Sequence, residues 1–360
     1  YKRSGLKRGT DAEVDEALQG GGSAAEAAVE QLNMRRREQM KRFNSSPLLQ
    51  LLDAVLYDRK RSNEKNWAFA KVLDEEVYVA SYSVQLKACL RRAVLAYYRD
   101  SHYNVLRLVL AIVVSLIFAS TFAHVEVNEE SELRNAFGLI FMSSLYYGVV
   151  NMMAVLPVVS EERASYYRER SSLMYRASPY AISYTINELP YLAASCIVFT
   201  LIFYFTVGLR WNATLYLWYL LFFFLFTAAM TFFGQLLVVA TPTQQTAQAV
   251  GSFLLNIFNL FAGFMITPNN IPDYAIFAYW LAPSHYMLEG LIVTQYHDDN
   301  TKIRLDIGGT TTAEGYVDFF FGGEFEYSHR IYDAVVLAAL VGIFRVLFFL
   351  SLKYLNWAKR

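Results

Sequence analysis

The chain has 360 residues, 32 acidic and 32 basic side chains, and a hydrophobic fraction of 55% against 18% charged residues. A soluble protein of this length carries about a quarter charged residues, and a nucleic-acid-binding protein has a basic excess, so the composition argues against both classes. Residues 211–272 contain no Asp, Glu, Lys or Arg. Because one membrane-spanning helix needs roughly 20 apolar residues, that stretch alone can hold two spans. The composition predicts an all-α membrane protein that crosses the bilayer several times.

The first part of the chain, residues 1–80, is predicted to be a cytosolic linker that is partly disordered. It contains the flexible run GGGSAAEAAVEQ and the basic run RRREQMKR. The basic run could contact anionic lipid, although a solvated linker explains the same composition more simply. The next segment, SVQLKACLRRAVLAYYRD, combines an apolar face with basic residues that include Arg91 and Arg99. This pattern predicts an amphipathic helix along the inner membrane surface.

Hydropathy predicts six spans, at about 104–123, 135–158, 179–208, 213–239, 247–267 and 333–352. We expect the third span to be entered through a shorter polar helix. Twelve Lys and Arg residues fall in the segments on one side of these spans and five fall on the other. The positive-inside rule therefore predicts that both termini, and the loop between spans two and three, are cytosolic. The long outer segment after span five contains IPDYAIFAYWLAPSHYML, whose aromatic and proline residues favour a re-entrant or interfacial helix.

Motifs for catalysis or cofactor binding are absent from the sequence. There is no G-x-x-x-x-G-K-[ST] loop to hold a nucleotide phosphate. The five histidines show no metal-ligand spacing, and two distant cysteines imply no disulfide framework. We therefore predict no catalytic residue, no metal site and no cofactor within this chain.

A charged, Tyr-rich patch interrupts the apolar part of the sequence. Seven of the sixteen residues in 161–176 are charged, whereas 135–160 carry no charge and 177–209 carry only Glu188. Paired opposite charges with neighbouring tyrosines suit a docking surface for another protein. A solvated loop that only enforces topology explains the composition equally well.

Four sequence segments, in order, carry a resemblance to a known family. They are AYYRDSHYNVLRL, LPVVSEERASYYRERSSLMYRASPYAISYTINELPY, ATPTQQTA and FAGFMITPNNIPDYAIFAYWLAPSHYMLEGLIVTQ. Together they closely resemble the membrane domain of G-type ABC transporters, the white and pleiotropic-drug-resistance group. The resemblance covers about 81–360 and implies an ABC-2 type transmembrane domain.

The resemblance implies that the charged patch is a coupling helix that docks on a nucleotide-binding domain. The residues that match this helix are Glu161, Glu162, Arg163, Tyr166, Tyr167, Arg168, Glu169 and Arg170. Arg91 and Arg99 match the connecting helix beside the same interface, and Glu188 matches an acidic position at the start of span three. We expect Glu188 to pair with an arginine of the loop. ATP and Mg would belong to the nucleotide-binding domain, which lies outside this segment or in a separate chain.

The resemblance also implies a substrate path near the axis of a homodimer or pseudo-dimer. Ser252, Asn256, Asn259 and Gly263 recur on one helical face of span five. Helix–helix hydrogen bonding is the alternative role for this stripe. From span two, Tyr146 and Val149 fall at cavity-facing positions, although Val149 departs from the aromatic residue common there.

The resemblance implies a gate between the cavity and the outer exit at Phe264 and Met265. These two residues stand where the family has a leucine-rich plug.

Arg345 interrupts the last span. Inserting an Arg at the centre of a span costs about 2.5–3.5 kcal/mol, so Arg345 should face protein or water, or reach the cytosolic surface. The sequence names no partner for it.

These features predict the transmembrane domain of an ATP-driven exporter for lipids, sterols or hydrophobic xenobiotics, located in the plasma membrane. Two alternatives remain open. An ion-coupled secondary transporter or channel would need more intramembrane acids than this sequence offers. A non-transporting scaffold subunit would lack any ATPase partner.

Overall fold

The computed structural model describes residues 78, 80–99, 101–121, 129–305 and 308–357, with four isolated positions nearer the N-terminus. The predicted linker 1–80 and its basic run lie almost wholly outside the described residues. The helices from residue 82 onward belong to one compact unit, Tyr78–Arg360.

The described part of this unit is almost entirely helical. In chain order the helices are α1 Tyr82–Arg99, α2 Ser101–Thr121, α3 Glu130–Ser171, α4 Ala177–Val207, α5 Ala213–Ala240, α6 Gln244–Leu260, α7 Ile276–Leu281, α8 Pro283–Tyr296, α9 Ala313–Phe321 and α10 Arg330–Tyr354. A small antiparallel hairpin pairs β1 Lys302–Arg304 with β2 Thr310–Thr312, with Ile303 opposite Thr311. The predicted all-α membrane class is confirmed.

Within the described residues, five helical segments are long and apolar enough to cross a membrane. They are Asn104–Thr121, Glu130–Ser171, Ala177–Val207, Ala213–Ala240 and Tyr327–Tyr354. The predicted fifth span, 247–267, is instead the 17-residue α6. It begins earlier, because the side chain of Thr243 accepts a hydrogen bond from the Thr246 amide and caps the helix. It ends earlier, and Gly263 beyond it has a left-handed φ of 95° that an α-helix does not contain.

The 42-residue helix α3 joins two features that the sequence analysis separated. The predicted second span and the predicted coupling helix form one continuous helix, which a turn connects to α4. The expectation of a shorter polar helix leading into the third span is therefore wrong. The backbone of α3 stays helical through the polar residues after Val158, because Glu and Arg are good helix formers. A capping box between Glu129 and Glu132 fixes the start of α3.

Helix α5 lies at the centre of the bundle. In the most apolar 18-residue stretch of α5, 89% of the residues are buried. The same fraction is 28% for α2 and 17% for the segment that contains α10. Close approach to α3 depends on Gly234, where an added Cβ would lie 2.8 Å from the Met152 carbonyl oxygen. Tyr147 of α3 packs between Phe199 of α4 and Phe223 of α5, with ring centroids 4.7 and 5.3 Å away.

Contacts along α3 define two ends of the bundle. At its start, Tyr316 of α9 donates a hydrogen bond to Glu130 at 3.2 Å. Near its last turns, Tyr166 donates to the Leu352 carbonyl oxygen of α10 at 3.3 Å. We call these the distal end and the coupling end. The region predicted to be re-entrant folds back at the distal end, where every residue of α8 is buried.

Candidate functional site

The last turns of α3 present an exposed face and an exposed tip at the coupling end. Glu161, Ala164 and Arg168 are exposed and share one face, at spacings of three and four. The turn after the helix exposes Leu173 and Met174, at 52% and 63% of their surface. Leu173 also has a left-handed φ of 56°, which folds the chain back toward α4. The sequence analysis missed both apolar residues, although they stand out as an apolar pair within the charged patch.

Two arginines of the predicted coupling helix hold the ends of other helices instead of facing outward. Arg163 donates to the carbonyl oxygens of Thr241 at 2.6 Å and Pro242 at 2.9 Å, at the end of α5, and also to that of Val238. Arg170 donates to the carbonyl oxygens of Leu352 and Lys353 at the end of α10, the latter at 2.5 Å. A guanidinium is favourable there, because the last carbonyls of a helix lack backbone partners and carry partial negative charge. Helix α3 is therefore bonded directly to the ends of both α5 and α10.

The tyrosines of the patch are buried and do not form the outer contact surface expected of them. Tyr166 and Tyr167 are 1% and 8% exposed, because their rings pack against each other. The ring centroid of Tyr166 also lies 4.6 Å from that of Tyr180. Tyr175 donates a hydrogen bond to Glu169 at 2.5 Å. Burial and then the neighbouring Glu169 raise the pKa of Tyr175. The tyrosines therefore pack the predicted coupling helix against the rest of the bundle.

The amphipathic helix α1 is attached to this end of the bundle. Glu169 of α3 forms an ion pair with Arg92 of α1, and the Arg176 amide donates to the Gln85 side chain at 2.9 Å. Arg91 and Arg99 are exposed on α1 and make none of these contacts. Glu162, the remaining predicted residue, accepts a hydrogen bond from Tyr180 at 3.5 Å.

Glu188 of α4 lies inside the bundle in an ion pair. Its carboxylate is fully buried and lies 2.5 Å from the guanidinium of Arg107, which is only 2% exposed. Tyr97 of α1 donates a second hydrogen bond to it. The expected loop arginine is therefore wrong: the partner belongs to α2, because α2 packs directly along α4. Burial makes this pair sensitive to loss of either charge.

The predicted polar stripe on α6 is partly reproduced. Ser252, Asn256 and Asn259 follow one helical face, and Asn256 is exposed while its amide donates to the Ser252 carbonyl oxygen at 2.9 Å. Gly263 lies beyond the end of α6 and is not part of that face. The buried oxygen of the Asn259 side chain has no hydrogen-bond partner among the described residues.

The remaining predicted path and gate residues point in different directions. Tyr146 of α3 is 51% exposed and packs against Phe118 of α2, whereas Val149 is partly buried against the core. The ring centroids of Phe264 and Phe141 of α3 lie 5.2 Å apart. The Phe264 ring also packs closely on Gly138, where an added Cβ would lie only 3.3 Å from it. Met265 is 54% exposed. The two residues of the predicted gate thus face different surroundings, and they lie in a segment that is not helical.

Comparison with known proteins supplies the family. The family model described as "ABC-2 type transporter" matches residues 84–296. The chain belongs to the ABC-2 type transporter family. The rice (Oryza sativa subsp. japonica) protein named ABC transporter G family member 34 is 35% identical over 285 residues, 79% of this chain and 19% of that protein. ABC transporter G family member 36 of Arabidopsis thaliana is 31% identical over 322 residues, 85% of this chain and 22% of that protein.

These matches confirm the resemblance to a G-type ABC transporter membrane domain. The chain spans about a fifth of the length of the relatives it matches. The ABC-2 match begins within α1, contains all of α3 and ends with α8, so it covers most of the positions described above.

The last helix, α10, also holds a half-buried arginine whose partners the sequence did not reveal. Arg345 of α10 donates to the side chains of Gln235 and Thr185 and, at 3.2 Å, to the Ala181 carbonyl oxygen. Its guanidinium lies 4.4 Å from the centre of the Phe232 ring. Of the alternatives considered, facing protein is confirmed. Neutral acceptors and aromatic faces therefore solvate this charge within the bundle.

One group of side chains at the distal end could hold a metal ion. His297, Asp298 and Glu314 bring one ligand atom each within 4.8 Å of one another, and the His297 Nδ1 lies 2.8 Å from Glu314. His297 and Glu314 also line a cavity of about 260 Å³ with Asp318 and Glu326. The sequence predicts no metal site, because its five histidines show no metal-ligand spacing. Exposed groups of this kind are common without an ion, so the prediction is left as it stands.

Proposed function

We propose that this ABC-2 domain forms the translocation path of an ATP-driven exporter of hydrophobic or amphipathic compounds. The observation that supports the proposal best is the coupling end. There an exposed face and tip sit on the same helix whose arginines hold the ends of α5 and α10.

A nucleotide-binding domain would dock on the surface formed by Glu161, Arg168, Leu173 and Met174, which we call the docking face. Opposite charges would set the register of the contact, while the two apolar side chains would be buried in it. ATP and Mg would be bound in that domain, in the same protein or in a separate chain. Both chain termini would then lie in the cytosol, with the docking face.

Movement of the docking face would reach the path through Arg163 and Arg170. Because both guanidiniums bond to main-chain oxygens, they shift whole helix ends and not only single side chains. The continuous α3 carries the same movement from the coupling end to Phe141, which contacts Phe264 near the distal end. Alternating access would follow from these linked displacements.

The substrate class follows from the exposed residues of the path. Tyr146, Asn256 and Met265 combine apolar surface with a few hydrogen-bonding groups, which suits lipids, sterols and hydrophobic xenobiotics better than sugars or ions. The exposed part of α6 would face a second membrane domain, in a homodimer or a pseudo-dimer. We propose the plasma membrane as the location of this assembly.

The test uses the full-length protein reconstituted in lipid vesicles, with ATP hydrolysis and ATP-dependent transport of fluorescent lipids and hydrophobic dyes measured in parallel. We expect Arg168→Glu and Leu173→Asp each to lower transport several-fold more than hydrolysis. The matched control is Lys302→Glu, a charge reversal on exposed β1 at the distal end, which should transport like the wild type.

The outcomes separate the alternatives. Transport driven by an ion gradient without ATP would replace this proposal with a secondary transporter. A wild-type protein that moves no compound would support a scaffold role. If Arg168→Glu behaves like Lys302→Glu while the wild type transports, the docking face has been assigned incorrectly.

A further inference from the structure

A buried cluster of acids and histidines lies at the distal end, where α8 meets the start of α10. Glu289 and His285 lie one turn apart on α8, and His329 and Asp333 lie one turn apart around the start of α10. The His329 Nδ1 is 3.0 Å from a Glu289 oxygen, and the His285 Nε2 is 3.6 Å from the other.

Most of this cluster is removed from water. Glu289, His285 and Asp333 are 3%, 1% and 1% exposed, whereas the His329 side chain is 48% exposed. Within the described residues, one Asp333 oxygen and both ring nitrogens of His285 are buried without hydrogen-bond partners. Buried polar atoms normally have partners, so this cluster is under-satisfied when its carboxyl groups are ionised.

Among the described residues, the surroundings of Glu289 hold further acids and no buried Lys or Arg. The titratable groups that act on it from the packed elements are His285 and Tyr286 on its own helix, Tyr279 of α7, Glu324 and Glu326 of the following loop, and His329 and Asp333. Helix α5, packed against the other side of α8, contains no charged residue. The nearby Arg330 lies over the rings of Trp218 and Tyr327.

Burial raises the pKa of Glu289 to about 8, with Glu324 and Glu326 adding to the effect and the Glu326 amide opposing it. Two carboxyl groups in one poorly hydrated site cannot both ionise cheaply. A proton on the Glu289 or the Asp333 carboxyl group removes the repulsion between the two carboxylates. It also supplies an O–H donor for a buried acceptor that has no partner.

We propose that Glu289 and Asp333 form a proton-binding site, reached from the distal solution through His329, and that the bound proton holds α8 against the start of α10. Deprotonation leaves two buried carboxylates on the two contacting elements and weakens that contact. The site needs no nucleotide-binding domain, so it stands independently of the exporter proposal.

The pH dependence has a defined window. Because the pKa of Glu289 is raised by folding, its stabilising effect is complete at low pH and is lost as the pH rises through about 8. His285 acts in the opposite direction at lower pH, because burial and then His329 lower its pKa to about 3, so its stabilising effect is lost below about 6.5. The range from about pH 6.5 to about 8.5 therefore isolates the acid cluster.

The experiment measures thermal unfolding of the full-length protein in lipid nanodiscs across that range. We expect the melting temperature of the wild-type membrane domain to fall by a few °C as the pH rises. Glu289→Gln, which keeps the shape and removes the charge, should abolish most of this dependence, and Asp333→Asn should reduce it. Asp273→Asn, which changes an exposed carboxylate at the same end, should retain the full dependence.

A second measurement covers the case in which a variant does not fold. Infrared difference spectra of the wild-type protein should show the carbonyl band of a protonated carboxyl group that disappears between about pH 6.5 and 8.5. A folded Glu289→Gln protein with an unchanged pH dependence would overturn the proposal. So would the absence of that band from the wild-type spectra.

Discussion

The ion pair between Arg107 and Glu188 allows a quantitative test of how the membrane bundle is held together. Its two atoms lie 2.5 Å apart, and the side chains are 2% and 0% exposed. Removing one partner leaves an uncompensated buried charge, which costs about 3–5 kcal/mol. We therefore expect Arg107→Met and Glu188→Gln each to lower the free energy of unfolding by about that amount.

The double variant should be less affected than the sum of the two single changes. With both charges gone, no buried charge is left unpaired, and an apolar replacement is often close to neutral. The coupling energy between the two changes should therefore exceed about 2 kcal/mol. Some loss will remain, because Tyr97 also donates to Glu188.

The assay is unfolding of the purified protein in mixed micelles, followed by circular dichroism as denaturing detergent increases. Arg134→Met provides the matched control, because Arg134 is 47% exposed and lies 3.8 Å from Glu130 in a surface pair on α3. That change should cost less than about 1 kcal/mol. If Arg107→Met costs no more than Arg134→Met, the buried pair does not stabilise the bundle as we infer.

Three further predictions concern packing, coupling and the path. Gly234→Ala should lower the melting temperature measurably, because the added Cβ would meet the Met152 backbone. Gly342→Ala is the control and should not lower it, because no atom lies within 4 Å of its added Cβ. Equal effects of the two changes would contradict the packing of α5 on α3. Arg163→Gln should reduce substrate transported per ATP hydrolysed several-fold at unchanged membrane insertion, and an unchanged ratio would exclude it as the link to α5. Asn256→Leu should change the range of transported dyes more than the expression level, and an identical profile would assign the α6 stripe to packing.

The sequence by itself determined the class of the protein and most of its helices. Long uncharged stretches can only be buried in lipid or in a very apolar core, so spans one, three and four and the last span were predicted to within a few residues. The second span was predicted to end at 158, but its helix α3 continues to Ser171. The fifth was not predicted to within a few residues either, since its helix ends at Leu260. Local capping and a left-handed glycine, not hydropathy, set those limits.

The tertiary structure decided which charged side chains face outward and which are buried in pairs. The sequence assigned Arg163, Arg168 and Arg170 to the same predicted surface, yet only Arg168 is exposed. The helix periodicity directs Arg163 to the end of α5 and Arg170 to the end of α10. The cluster around Glu289 was equally hidden in the sequence. Its two acids are distant along the chain and meet only because α8 folds back against α10, and a one-dimensional pattern does not record that contact.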